Sequence, residues 1–469
     1  MTFTSPIFIF VFLPISLLVY YVIETRWKNA FLLLASLFFY AWSGLQYAII
    51  IFVLAIANYC IGLIVKNKKI FMVLSIILNI SVLCLFKYTG FFVSNFNSLF
   101  LELGTNFQIQ TPIIPLPIGI SFIIFTLLSY LIDIYRGTVK PQRNFINFAL
   151  YVFLFPKIIM GPIMRYPDIE KQLAKRNITS ESFVLGIKRF IIGFAKKVLL
   201  ADSLGKIASF VFDNGANYNT LSVWIAMICY TLQIYYDFSG YSDMAIGIGK
   251  MFGFKIPENF NYPYISRSIK EFWRRWHITL SSWFRDYLYI PLGGNREGTL
   301  KTYRNLFIVF LVTGFWHGAN WTFILWGLFH GIFLALERTR FGDILRRAPV
   351  ILQHIYAMFI VSVGWVLFRS ASITEADLFI KYLFIPNFNG WQNIIIYLNN
   401  ELIFCIFISI ILCVPWIKTK QEILNKYKNK EKTVSMIELF SSFGYLLLFL
   451  VSISYMSVSN FSPFIYFRF

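Results

Sequence analysis

The stretch QYAIIIFVLAIANYCIGLIV, residues 46–65, carries no charged side chain over 20 positions. A helix rises about 1.5 Å per residue, so the run would measure about 30 Å, the thickness of a bilayer's hydrocarbon core. It predicts a membrane-spanning helix. Comparable apolar runs occupy 7–23, 30–42, 70–86, 112–132, 145–164, 221–238, 305–317, 321–336, 349–368, 393–417 and 436–456. Most can cross a bilayer, and the shorter ones tilt, re-enter or lie among neighbours. The chain therefore reads as an all-α, polytopic membrane protein with about ten or eleven membrane helices plus re-entrant and amphipathic segments. Composition agrees: 58% of the 469 residues are hydrophobic and 14% charged, against roughly 25% charged in a soluble domain.

The net charge of +20 raises the question of nucleic acid. The basic residues fall in short clusters between apolar runs, however, which is the positive-inside pattern and gives no nucleic-acid surface. Arg26 with Lys28, and the loops 66–69, 136–143, 165–176, 250–304, 338–347 and 418–432, read as cytoplasmic. Segments 213–219, 318–320 and 385–392 carry little or no basic charge and read as external. With the N-terminus outside, these loops alternate if 145–164 dips into the membrane without crossing. Pro156, Gly161 and Pro162 interrupt a helix there, and Lys157 is costly in lipid. The first run has no basic residues before it and no small-residue cleavage site after it, so it is expected to remain as the first helix. The five cysteines lie in or beside apolar runs without a CxxC pair and read as buried small hydrophobes.

No internal repeat or soluble appendage stands out, so residues 1–469 read as one membrane domain. Within it, 1–111 and 341–469 are expected to be peripheral helices and 112–340 the core, which holds nearly all the intramembrane polar residues. Segment 182–200 places Lys188, Arg189, Lys196 and Lys197 among apolar residues at near-helical spacing. It reads as an amphipathic helix near the cytoplasmic headgroups, either as an anchor or to attract an anionic donor.

The core contains a polar island, WRRWHITLSSWFRDYLYIPLGG at 273–294. Ser268 followed by Glu271 has the form of a capping box, and Ile269, Phe272, Trp273, Trp276, Leu280 and Trp283 make one helical stripe. The spacing predicts a continuous helix with Arg274 and Arg275 off the stripe and His277 on its border, where packing and chemistry are both open. The second polar feature, TGFWHGANWTFILWGLFHG at 313–331, reads as a hairpin joining two short apolar segments. Its tip is expected below the outer surface, with His317 within the membrane or at a cavity edge. His330 lies between Gly327 and Gly331 in a spacing that favours close helix packing, and His354 begins a span near a basic loop. Asp133, Asp237 and Asp243 interrupt apolar segments and need partners, for which the island's arginines are candidates. GIGKMFG at 247–253 departs from a phosphate loop at its first and last required positions, which excludes nucleotide hydrolysis on that motif.

Two intramembrane histidines without a cysteine nucleophile or a carboxylate pair suit acyl transfer, since histidine can take the proton of an attacking hydroxyl. No HxxxH or HxxH spacing points to a metal.

LPIGISFIIFTLLSYLIDIYRG (116–137), LFPKIIMGPIMRY (154–166), IYYDFSGYSDMAIGIGKMFGF (234–254), PENFNYPYISRSIKEFWRRWHITLSSWFRDYLYIPLGGNR (257–296), GFWHGANWTFILWGLFHG (314–331) and SPFIYFRF (462–469) together resemble the membrane-bound O-acyltransferases (MBOAT). The nearest likeness is to their bacterial AlgI-like branch, associated with alginate O-acetylation. The resemblance implies helices around a central tunnel in which an acyl group on a cytoplasmic thioester, acetyl-CoA in this reading, passes to a hydroxyl. No bound cofactor is implied. The family's near-invariant histidine falls on His317 and the branch's second functional position on His277. His317 is expected as general base, with His277 steadying the thioester or the oxyanion; an acyl-enzyme route stays open. Arg274, Arg275, Trp276, Asp286, Trp316 and Asn320 are the expected substrate contacts, the arginines with Lys270 favouring a phosphate-rich donor. The resemblance further implies a bacterial inner-membrane location, a separate extracytoplasmic acetyltransferase partner, and a polysaccharide as final acceptor. D-alanyl transfer to teichoic acid within the same family is the nearest rival. A saccharide transporter or flippase, which would favour inverted repeats, and a non-catalytic scaffold are the readings from other classes.

Overall fold

The computed structural model describes residues 1–112, 114–213, 218–389, 392–395, 398–415, 431–458 and 464–465. Helices dominate, and no strand occurs among the described residues. Leu45–Ile64 (α1) and Lys69–Glu102 (α2) are long and apolar enough to span a bilayer. Their outer faces expose Ile49, Val53, Leu74 and Ile77, while Asn58 and Asn79 are buried between them. The two amides donate to each other's oxygens at 3.3 and 2.7 Å, which satisfies polar groups that lipid could not. Within α2, Cys84–Tyr88 forms a single π turn.

The core begins with Ile120–Tyr135 (α3), almost wholly buried. Next come Phe145–Phe153 (α4) and Phe155–Ile158 (α5), broken at Leu154 and buried from Phe148 onward. At about 1.5 Å per residue neither helix is long enough to span a bilayer.

Ser180–Ala195 (α6) runs through a π turn, Lys196–Ala201, into Asp202–Asp213 (α7), and the pair packs along the long helix Thr220–Met251 (α8). This corrects the expectation of a surface helix at 182–200. The physical reason is a glycine seam: Gly186 and Gly193 face Gly247 and Gly240, and a Cβ on any of the four would overlap the opposite backbone. Such close approach brings the cations of α6 onto the acids of α8. Arg189 and Lys196 bind Asp243 at 2.6 and 2.7 Å, and Lys197 bridges Asp202 and Asp237 at 2.7 Å each. The island's arginines therefore do not neutralise Asp237 or Asp243. Asp133 accepts instead from the Tyr287 hydroxyl at 2.7 Å.

The island helix is also interrupted. Ser268 caps Ile269–Arg275 (α9) by accepting from the Glu271 amide, but a second helix, Ile278–Phe284 (α10), starts afresh after His277. His277 itself has φ 43° and ψ 53°, a left-handed conformation that a non-glycine residue holds only under tertiary constraint. Thr299–His317 (α11) and Trp321–Leu336 (α12) form the expected hairpin, pressed together at Gly314 and Gly327. Val350–Arg369 (α13), Asn400–Leu412 (α14) and Glu431–Val458 (α15) follow towards the C-terminal end. Ile465 returns to the core, where its amide donates to Asp237 at 2.9 Å.

Candidate active site

His317 is the last residue of α11, and a helix end leaves its final carbonyls without intrahelical donors. Two residues of the α2 π turn supply them. Tyr88 donates its hydroxyl to the Phe315 carbonyl at 2.8 Å, and Lys87 Nζ donates to the carbonyls of Trp316 and His317 at 2.6 and 2.9 Å. The His317 ring is buried against Trp316, Trp326 and Phe368, with centroids 4.8 to 5.2 Å away.

A chamber of about 190 Å³ opens beside it, lined by His317, Trp316, Lys87, the 116–122 segment, Ile159 and Met160. Lys87 and Leu116 also line a wider funnel of about 510 Å³ at the hairpin tip, with Asn320, Gln233 and Arg369 on its walls. This is the end of the molecule away from the basic loops. At the opposite end a groove of about 230 Å³ is rimmed by Lys270, Arg274, Arg285 and Arg338 and reaches Thr313. Thr313 stands one helical turn from His317. Funnel and groove thus approach the same histidine from the two ends of α11.

His277 lies one ring further in. Its imidazole is buried, edge-on to Phe238 at 4.7 Å and parallel to Phe122 at 6.4 Å, and Phe122 lines the chamber and meets Trp316. Its Nδ1 is 3.1 Å from Asn259 Oδ1. The identity of that Asn259 atom is fixed, because the Thr279 backbone N–H donates to it at 3.2 Å and so requires an oxygen. Nδ1 therefore carries the proton, and Nε2 is an acceptor, buried with no hydrogen-bond partner among the described residues. Asn259 was not singled out by the sequence, where nothing local distinguishes it from its neighbour Asn261. Replacing it with leucine leaves the buried Thr279 amide without its acceptor. A loss of about 1–3 kcal/mol is expected, read as a lower melting temperature in detergent. Asn259→Asp keeps the acceptor and is expected to melt closer to wild type.

The other expected contacts separate into two groups. Trp316 lines the chamber, Arg274 the groove and Asn320 the funnel. Asn320 is also a helix cap, accepting from the Thr322 amide and donating to the Ala371 carbonyl. Trp276 is packed within Phe272, Phe260 and Trp365. Arg275 is tied to Glu271 and the Asn261 carbonyl, and Asp286 to Arg165 and Arg285 at 2.6 Å. Burial pushes the Asp286 carboxyl up, but Arg285 and Arg165 outweigh it and hold the group below the usual carboxylate range. These three hold the fold around the site rather than line the described cavities. Lys87 is the residue that sequence reading missed; the only signal was a lysine at the edge of the apolar run 70–86.

Comparison with known proteins follows the same residues. The membrane-bound O-acyltransferase family description matches residues 140–364. A Pseudomonas putida protein named "Probable alginate O-acetylase AlgI" is 40% identical over the whole of both chains. A peptidoglycan O-acetyltransferase of Helicobacter pylori is 38% identical over 80% of this chain and 78% of its own. A teichoic acid D-alanyltransferase of Bacillus subtilis is 30% identical over 46% of this chain and 58% of its own.

Proposed function

The chain belongs to the membrane-bound O-acyltransferase family, and from that membership we propose that His317 is the base through which it acetylates an extracytoplasmic polysaccharide. It is a multipass membrane acyltransferase, and its relatives place O-acetylation of a cell-surface polymer ahead of D-alanyl transfer. In the proposed reaction the donor is acetyl-CoA, entering from the basic groove. Its phosphates meet Lys270, Arg274 and Arg338, whose geometry suits anions. The acceptor hydroxyl enters from the funnel. His317 takes the hydroxyl proton as the oxygen attacks the thioester carbonyl; collapse expels the thiolate, which recovers the proton from the imidazolium. An ester and a free thiol result.

The observation that carries this reading is that His317 lines a chamber sharing Lys87 and Leu116 with the funnel, while the basic groove ends at Thr313, one helical turn away. A transporter would need a continuous passage, whereas a transferase needs two substrates to reach one base. The burial and tautomer of His277 narrow its part: it lines none of the described cavities, and with Nε2 as an acceptor it does not donate to an oxyanion. The location proposed is the bacterial inner membrane. A separate extracytoplasmic acetyltransferase is proposed to complete delivery to the polymer.

The test compares a deletion strain with its complemented parent for O-acetyl ester in exopolysaccharide and peptidoglycan, alongside wall D-alanine. Ester lost from one polymer and restored by complementation identifies the acceptor. Unchanged ester with reduced wall D-alanine would transfer the chain to the teichoic acid reaction.

A further inference from the structure

Lys87 lies in a helix long and apolar enough to span a bilayer, just past the end of its apolar run 70–86, where its side chain turns inward to the end of α11. It is half-buried between the end of α11 and the chamber. Two of its three N–H bonds go to the carbonyls of Trp316 and His317. Those described partners are neutral, so its charge is not matched by a carboxylate there. The same side chain lines both the chamber and the funnel, at the junction between them.

Attack on a thioester turns the carbonyl oxygen into an oxyanion, and a donor aimed at that oxygen is commonly the largest single contribution to such catalysis. His277 Nε2 cannot be that donor in the tautomer that Asn259 imposes. From the position of its ammonium we propose that Lys87 directs its remaining N–H and its charge at the acyl carbonyl oxygen and stabilises the oxyanion. The proposal rests on the acyl-transfer reading with His317 as base. In the step, the hydroxyl oxygen forms the new C–O bond while His317 accepts the proton, and the carbonyl π pair moves onto the oxygen held by Lys87. When that pair returns, the C–S bond breaks and the thiolate takes the proton back. Lys87 neither gains nor loses one.

The experiment measures thiol release from acetyl-CoA by the purified full-length protein in nanodiscs. The acceptor is the chemically deacetylated polymer that loses ester in the deletion strain, supplied together with that strain's extracytoplasmic extract. Lys87→Met removes donors and charge. Lys87→Gln keeps amide donors for the α11 carbonyls without the charge, and Lys87→Arg keeps both. Met and Gln are expected to lower kcat by about 10²–10³-fold with the KM for acetyl-CoA within about twofold of wild type. Arg is expected to be faster than Gln, and Gln to melt near wild type. Wild-type kcat in Lys87→Gln would make Lys87 a helix cap alone and overturn the proposal, as would Lys87→Arg no faster than Gln. His317→Ala at wild-type rate would sink the acyl-transfer reading and this proposal with it; an inactive His317→Ala beside a fully active Lys87→Gln would sink this proposal only.

Discussion

His317→Ala is expected to lower acetyl transfer by about 10²–10⁴-fold, the range a positioned general base contributes. The loss should fall on kcat, because the ring meets the hydroxyl proton and not the donor's phosphates, which the groove at the other end of α11 would hold. Truncation also leaves a cavity among Trp316, Trp326 and Phe368, so His317→Gln is the companion variant that preserves bulk. The backbone should stay in place in both, since Lys87 and Tyr88 hold α11 through main-chain carbonyls that neither substitution touches. Transfer of labelled acetyl from acetyl-CoA to the deacetylated polymer in the presence of the deletion strain's extracytoplasmic extract, with melting temperature measured in parallel, separates lost chemistry from lost fold. Both variants within about threefold of wild type would place the base elsewhere.

The class of fold was legible because lipid allows so few solutions: uncharged runs such as 46–65 have one way to satisfy their backbone. The two histidine motifs were legible for the complementary reason, since polar clusters inside apolar sequence are costly and stand out. What escaped was everything decided by a distant partner. The α2 lysine sits 229 and 230 positions before the carbonyls it binds, and no local pattern carries that distance. The stripe through 269–283 has unbroken helical spacing, yet Asn259 accepts from Thr279 on one side of the break and from His277 at it, and the helix restarts there. The misreading of 182–200 is different, because a signal was present. Glycines at 186 and 193 and at 240 and 247 share a spacing of seven, which marks two helix faces able to touch. Read together, they would have turned four surface cations into candidates for the acids of α8.

Those acids frame the second large effect. Lys197→Met is expected to destabilise the protein by about 3–5 kcal/mol, the cost of leaving a buried charge unpaired. Lys197 is 2% exposed and Asp237 1%, so water cannot replace the lost ammonium at Asp237. Asp202 is more accessible at 14% and should recover part of its loss from solvent. The damage should extend to the C-terminal end, because Asp237 also accepts the Ile465 amide and Lys197 lies over the Phe464 ring at 4.7 Å. Pairing Lys197→Met with Asp237→Asn removes both charges while leaving an amide oxygen for Ile465. The double variant is therefore expected to melt above Lys197→Met alone, although it carries one more substitution. The measurement is thermal unfolding in detergent across the four-member cycle. A double variant that melts below both single ones would mean that the ion pair is stabilising beyond mutual neutralisation. Close packing at the glycine seam would then depend on the pair, instead of the pair being a consequence of the seam.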